Sequence, residues 1–227
     1  MSFKLEQPVL AVDVVILRVR PPRLEALLLP RPDEPFRGAL ALPGVALRIE
    51  ETLFEAARRT LREKAGWPGE AVQALYLEQL ATFDALYRDP RGRTVSVAYL
   101  GLARSTPTLF PGGAWQAADA IPPGGLPFDH EEILAAAVAR LRGKLRYTNI
   151  ARVLLPPAFR IEELQAAYEA ILGRAINRSN FRNKLLKLGL IEQERILLEA
   201  VGRQGGRPPH LYRFARARLE AEERDFL

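Results

Sequence analysis

Residues Leu42–Trp67 read LPGVALRIEETLFEAARRTLREKAGW, and the fold turns on this stretch. It opens on Pro43-Gly44, a turn signal. It then becomes a helix, in which Leu53, Ala57, Leu61 and Ala65 recur every four residues and make one apolar stripe. Arg58, Arg59, Arg62, Glu63 and Lys64 fall off that stripe. Gly66 is placed as a C-terminal stop.

The flanking segments predict strands. Val9–Val19, VLAVDVVILRV, is short, rich in Val, Ile and Leu, and suits a buried strand. Arg20-Pro21-Pro22-Arg23 breaks it, and Leu24–Leu29 reads as the return. Arg31–Gly38 is a loop, and Ala39–Leu42 leads into the helix stretch. Beyond it, Ala74–Phe83 and Thr94–Ala103 read as strands around a loop, Asp84–Arg93, with Asp-Pro and Arg-Gly turn signals. Arg88, Arg91 and Arg93 in that loop have two readings. Their forks suit pyrophosphate or carboxylate, or they are surface charges of a hairpin. Leu109–Pro127, rich in Gly and Pro and containing Trp115, is loop with room for one short strand. A helix follows over Glu131–Arg142, with Asp129 as N-cap and Ile133, Leu134, Ala137, Val138 and Leu141 on its apolar face. His130 sits among Asp129, Glu131 and Glu132. A general-base role is open to it, although a histidine at a helix start is more often structural.

The totals narrow the chemistry. There is no Cys among 227 residues, which excludes disulfides, thiolate metal sites and a Cys nucleophile. His130 and His210 are the two histidines, too few for a His-rich metal site. No apolar run reaches the roughly 20 residues of a membrane span, and the N-terminus lacks a signal-peptide core, so a cytoplasmic location is expected. Charge is unevenly placed. Residues 1–139 carry 15 Lys and Arg against 17 Asp and Glu, whereas residues 140–227 carry 18 against 10. A basic module that meets polyanions, attached to a near-neutral one, accounts for this; a solvated basic surface is the plainer alternative. Two domains are expected, 1–143 and 144–227.

The second reads differently from the first. Asn149–Leu155 is a short helix stopped by Pro156-Pro157. Ile161–Leu172 is amphipathic, with Leu164, Ala167, Tyr168, Ile171 and Leu172 inward. After the turn Gly173–Ile176, a third helix spans Asn177–Leu188, with Phe181, Leu185, Leu186 and Leu188 inward and Arg178, Asn180, Arg182, Asn183, Lys184 and Lys187 outward. Leu190–Leu198 and His210–Phe214 can pair as strands around the tip Gly202–Pro209. Together these predict a winged helix-turn-helix, in which the third helix enters the major groove. Arg and Asn make bidentate contacts to guanine and adenine, and Arg203 and Arg207 on the wing can reach phosphates or the minor groove. A small basic helical cap that aids dimerisation is the alternative.

The first stretch resembles the Nudix box, G-x5-E-x7-R-E-U-x-E-E-x-G-U, where U is bulky and apolar. Glu51, Arg59, Leu61, Glu63, Gly66 and Trp67 fit it. The departures are Val45 for the opening Gly, with Gly44 one place early, Thr60 for the Glu after the Arg, and Lys64 for the second Glu of the pair. The resemblance implies that the carboxylates missing at 60 and 64 are metal ligands. A hard cation needs several oxygen ligands, so hydrolysis of a pyrophosphate through such a metal is not expected. Further stretches are similar to the Nudix-related transcriptional regulators of NAD metabolism, the NrtR-like group. They are Arg88-Asp89-Pro90-Arg91-Gly92-Arg93, Phe128-Asp129-His130, Leu164-Gln165-x-x-Tyr168-Glu169-x-x-Leu172-Gly173, Asn180-Phe181-Arg182-x-Lys184 and Gly206-Arg207-Pro208-x-x-Leu211-Tyr212-Arg213-Phe214.

The resemblance implies an α+β chain: a Nudix α/β/α sandwich with a mixed sheet, then a winged helix-turn-helix. It implies a homodimeric repressor of NAD-related genes on double-stranded DNA with an inverted-repeat operator, and ADP-ribose or a similar nucleotide as effector. The candidate effector-binding residues are Arg37, Glu51, Arg59, Glu63, Lys64, Arg88 and Arg91. The candidate DNA-binding residues are Arg178, Ser179, Asn180, Arg182, Asn183, Lys184, Lys187, Arg203 and Arg207. No catalytic or metal-ligating residue and no required cofactor is assigned. Mg2+ enters only if hydrolase activity persists, the alternative being an active pyrophosphohydrolase that uses Glu50, Glu51, Glu55 and Glu63. An RNA-binding Nudix protein fits the charge but not the wing.

Overall fold

The computed structural model describes residues 7–104, 112–194, 210–216 and 218–219. The chain divides into two compact units. One holds residues up to 139 apart from a short stretch; the other holds residues 140 onward together with that stretch, 19–24.

The first unit is built on a seven-stranded sheet. Its centre is β1 (Val9–Arg20), flanked by β2 (Arg23–Pro30) and β6 (Thr94–Leu102). β1 and β6 are parallel, with Val12 opposite Val97 and Val14 opposite Tyr99. The other strands are β3 (Leu40–Ala41) and β7 (Ala114–Ala117) on β2, β4 (Gly44–Ala46) on β1, and β5 (Tyr76–Phe83) on β6, all antiparallel to their partners. The sheet is therefore mixed, and the short strand expected within 109–127 is β7.

The largely apolar runs of β1 and β2 have their physical reason in burial on both faces. Val12, Val14 and Ile16 join Leu27, Leu29, Val97 and Tyr99 in one core with Ala56, Ala57 and Leu61 of helix α1 (Leu53–Glu63) and Ala65 just after it. The alternate residues Val15, Leu17, Ala26, Leu28, Ala98, Leu100 and Leu102 are buried as well. Thr52 and Glu55 close a reciprocal capping box at the start of α1, and Gly66 ends the segment in the left-handed conformation at φ 69°.

Three readings are adjusted. A short helix α2 (Gly69–Ala74) precedes β5, where the sequence suggests only a strand start. Helix α3 runs His130–Tyr147, past the expected end at Arg142 and through Gly143. Asp129 precedes it, but its carboxylate is taken by Arg88.

The second unit starts with a 3-10 turn, Ile150–Val153. Strand β8 (Phe159–Arg160), helix α4 (Ile161–Leu172), helix α5 (Arg178–Lys187) and strands β9 (Ile191–Gln193) and β10 (Leu211–Phe214) follow. The expected hairpin is part of a three-stranded sheet of order β8-β10-β9. Tyr168 of α4 meets Phe181 of α5 at 5.0 Å, and Phe159 meets Phe214 at 5.1 Å. The first contact packs the two helices together, and the second packs two strands of the sheet.

Gly44 shows why a glycine is needed at the box entry. It lies opposite Asp13 in the β1–β4 ladder, and a Cβ there would stand 2.1 Å from Asp13 Oδ1. Gly44→Ala should therefore destabilise by about 1–3 kcal/mol in urea denaturation followed by Trp fluorescence. Gly69→Ala, where a Cβ meets nothing within 4 Å, should not. Equal midpoints for the two variants would refute the close approach.

Candidate functional site

The box residues form a charged knot where α1 meets the loop before it. Arg59 is buried, although it falls off the apolar stripe, because acceptors surround its guanidinium. Nε and Nη2 donate to the two oxygens of Glu51 at 2.8 and 2.6 Å. Nη2 also reaches the Ala46 carbonyl at 2.9 Å, and Nη1 donates to Glu63 at 3.0 Å. The hydrogen bond from Arg59 holds the Glu51 carboxyl down at about 2, and the same guanidinium lowers Glu63. Thr60 is fully buried, and its hydroxyl donates to the Ala56 carbonyl one turn back. Lys64 is exposed at the helix C-cap.

A second set of candidates lies in a cleft of about 580 Å³, lined by Phe36, Leu86, Tyr87, Arg88, Pro90, Phe128, Asp129 and Glu132 among others. Arg88 is not a surface charge. It is buried, forks onto Asp129 at 2.6 and 2.7 Å, and reaches Asp13 at 3.4 Å. Its partner is thus carboxylate, but from its own chain. Ser96 Oγ donates to Asp13 at 2.6 Å, and His130 Nε2 stands 3.8 Å from the other Asp13 oxygen. His130 Nδ1 accepts the Leu42 N–H at 3.1 Å. Burial pushes the His130 pKa down, so the neutral ring that accepts this bond is the favoured form. The geometry therefore gives it the structural role.

Phe36 and Phe128 both adopt positive φ, 67° and 59°, a costly conformation for bulky residues. It lets their rings meet edge to face at 5.2 Å. Arg31 and Arg91 both stack on Phe128, at 4.6 and 5.6 Å. Burial and then Arg91 push the pKa of Arg31 down. Two cations crowded on one ring favour an anion beside them. Arg91 is itself held by Asp89 at 2.7 Å. Arg37 is exposed and donates to the Pro32 carbonyl. The seven effector candidates therefore form a box group (Glu51, Arg59, Glu63 and Lys64), Arg88 in the cleft with Arg91 stacked on its Phe128 wall, and Arg37 on the loop beside Phe36. Sequence reading missed Arg31, Phe36, Tyr87 and Asp13. Phe128, Asp129 and His130 fall in a stretch similar to the family, and Arg88 and Arg91 are among the candidates above.

In the second unit, Asn177 caps α5 by accepting the Asn180 N–H at 3.0 Å. Phe181 and Leu185 face the core, while Ser179, Asn180, Asn183, Lys184 and Lys187 are exposed along one side. Arg178 is exposed but paired with Glu162. Arg182 is only partly exposed, since its Nε donates to the Tyr212 hydroxyl of β10 at 2.8 Å. It ties the helix to the wing sheet. Arg203 and Arg207 lie outside the described residues.

Residues 8–141 match the NUDIX domain family, and residues 151–214 match the NrtR DNA-binding winged helix domain. The chain is 35% identical to an ADPR-responsive transcriptional repressor of Acinetobacter baylyi, over 92% of this chain and 82% of the relative. The chain belongs to the NrtR family of Nudix-related regulators. The crystal structure of Shewanella oneidensis NrtR with a 27mer DNA superposes with a TM-score of 0.71 at 28% identity, covering 95% of this chain and 98% of that one. The NUDIX domain of the same Shewanella protein, solved with ADP ribose, gives a TM-score of 0.52 at 29% identity over 60% of this chain and 90% of that one. An ADP-ribose pyrophosphatase of Methanocaldococcus jannaschii is 32% identical over 56% of this chain and 71% of its own length.

The pKa shifts predict two separate acid responses. His130 is held below its ordinary 6.5, so just below that pH the unfolded chain binds the extra proton first. Stability should then fall as pH drops from about 7 toward 5, with a slope of at most about 1.4 kcal/mol per pH unit, and His130→Gln should flatten this limb. Glu51, depressed from 4.5 to about 2, contributes above 4.5 and loses its contribution as pH falls toward 2. Glu51→Gln should flatten only that lower limb. Thermal midpoints from pH 8 to 3 read both, and a slope above pH 5 that survives His130→Gln would reject the first assignment.

Proposed function

We propose that this chain is a DNA-binding transcriptional repressor whose Nudix unit senses ADP-ribose or a similar nucleotide. One observation carries this reading: a Nudix unit and a winged-helix unit match a curated ADPR-responsive repressor over 92% of the chain. The exposed polar face of α5 supports major-groove reading by Asn180 and Asn183, with Lys184 and Lys187 on phosphates. A homodimer on an inverted-repeat operator, upstream of genes of NAD or related metabolism, completes the proposal. In this reading the protein works in the cytoplasm; no described helix is long and apolar enough to cross a membrane.

The cleft of Phe36, Tyr87 and Phe128 is the proposed effector seat. Its aromatic walls suit a base and ribose, and the crowded Arg31 and Arg91 suit a pyrophosphate. The effector acts by linkage: it binds better to the state that fits DNA poorly, and a coupling of about 1–3 kcal/mol changes operator affinity about 5- to 150-fold.

The box is proposed to be catalytically silent. Mg2+ finds a poor oxygen set in these residues. Thr60 is buried and turned to its own helix, Lys64 is a cation, and Glu51 and Glu63 are both engaged by Arg59. The pyrophosphatase relative matches 56% of the chain, against 92% for the repressor.

The test is fluorescence anisotropy on a duplex from upstream of the chain's own gene and on a scrambled duplex, at fixed salt, with ADP-ribose titrated in. Tight binding to the first alone, released by ADP-ribose, is expected. Asn180→Ala should weaken the upstream duplex by about 1–3 kcal/mol and leave the scrambled one unchanged, whereas Lys184→Ala should weaken both. Weak, equal binding to both duplexes, together with Mg2+-dependent turnover of ADP-ribose at ordinary enzyme rates, would replace the repressor with a hydrolase.

A further inference from the structure

Away from α5, the second unit carries a concavity of about 340 Å³ lined by Arg142, Gly143, Arg146, Leu172 and Arg174. We infer that Arg142, Arg146 and Arg174 form a phosphate seat that takes one backbone phosphodiester of bound DNA, a contact separate from those of the reading helix. The inference rests on the DNA-binding reading above and adds a site to it.

The three guanidiniums come from two places. Arg142 and Arg146 are one turn apart on α3 and so share a face. The dipole of α3 welcomes a cation in its last turn, but it does not explain why Arg174, from a different element, opens onto the same space. Arg142 is held in place: its Nε donates to the Ile171 carbonyl at 2.8 Å. A fixed planar fork is the geometry that recognises phosphate. Among the described residues no carboxylate lines the concavity.

Gly143 supports the same conclusion. A glycine inside a long helix weakens it, and packing gives no reason for one here, since a Cβ would meet nothing within 4 Å. The space such a Cβ would occupy borders the seat. Leu172 adds an apolar wall, which suits the deoxyribose next to a phosphodiester better than a free inorganic ion.

Arg174 sits on the turn joining α4 to α5, four residues before Arg178. That turn is pinned. Glu169 accepts the Ile176 N–H at 2.8 Å, and Gln165 donates to the Ile176 carbonyl at 3.1 Å. The seat therefore keeps a fixed offset from the start of α5, as a register-setting phosphate contact requires.

The test is the salt dependence of binding to the upstream and scrambled duplexes, for wild type, Arg174→Ala, Arg146→Ala and the double variant, with circular dichroism melts as the folding control. One phosphate contact is worth a slope of about 0.9 in log K against log salt, or about 8-fold at 0.1 M salt. Because the arginines share one phosphate, the double variant should lose no more than about 0.9 of slope. Both duplexes should weaken by the same factor. If the double variant melts early, Arg174→Glu on the exposed turn reads the same slope. An unchanged slope in a folded variant, while Lys184→Ala stays defective, overturns the seat and leaves the repressor standing. No binding of wild type to either duplex overturns both. Calorimetry with inorganic phosphate at matched ionic strength supplies the last arm: uptake lost in the double variant, with the DNA slope unchanged, makes this a small-anion site and overturns the DNA assignment.

Discussion

The first unit depends on one buried ion cluster. Arg88 lies between Asp129 and Asp13, Ser96 donates to Asp13, and His130 Nε2 stands 3.8 Å from its other oxygen. A buried charge is costly unless it is paired and hydrogen-bonded, and removing one partner typically costs about 3–5 kcal/mol. This cluster joins elements far apart in sequence: β1, β6, the loop at 84–93 and the first turn of α3. Through His130 and the Leu42 N–H it also fixes the entry to the box. Gly44 belongs to the same arrangement, because any side chain there would stand in the Asp13 carboxylate. The glycine one place early in the box is thus set by the partner across the ladder.

The box separates into two halves with different fates. Glu51, Arg59 and Glu63 form a connected ion network that staples the preceding loop to α1. Such a network serves the fold whether or not chemistry follows. Positions 60 and 64 have gone to a core hydroxyl and an exposed cation. The loop–helix thus keeps its ion network while positions 60 and 64 carry no carboxylate.

Much of this was legible in the sequence, because it rests on local pattern. The stripe at Leu53, Ala57, Leu61 and Ala65, the runs of β1 and β2, and the polar face of α5 follow from periodicity and burial. What escaped reading depends on long-range partners. Arg88 reads as a loop cation because nothing local announces Asp13, 75 residues away. The bond from Arg182 to the Tyr212 hydroxyl, 30 residues on, is another that no local pattern announces. The cleft was missed for a further reason: Phe36 and Phe128 meet only through positive φ, which no propensity for phenylalanine suggests. The apolar face predicts an end for α3 at Arg142, whereas the helix continues through Gly143 to Tyr147.

That continuation bears on how one chain can link a ligand to an operator. Arg88 of the cleft lining holds Asp129, the residue that precedes α3, and His130 is the first residue of that helix. The same helix, 18 residues or about 27 Å long, carries Arg142 and Arg146 in its second half. The ion cluster is a discrete, costly arrangement and not a soft one, so a ligand that bears on Arg88 or Phe128 acts on an element with few alternatives. Linkage then needs no long chain of intermediaries. It needs only that the start of α3 differ between two states and that the ligand prefer one of them. On the effector seat proposed above, a bound ring that replaces the Phe36–Phe128 contact would let either strained backbone relax.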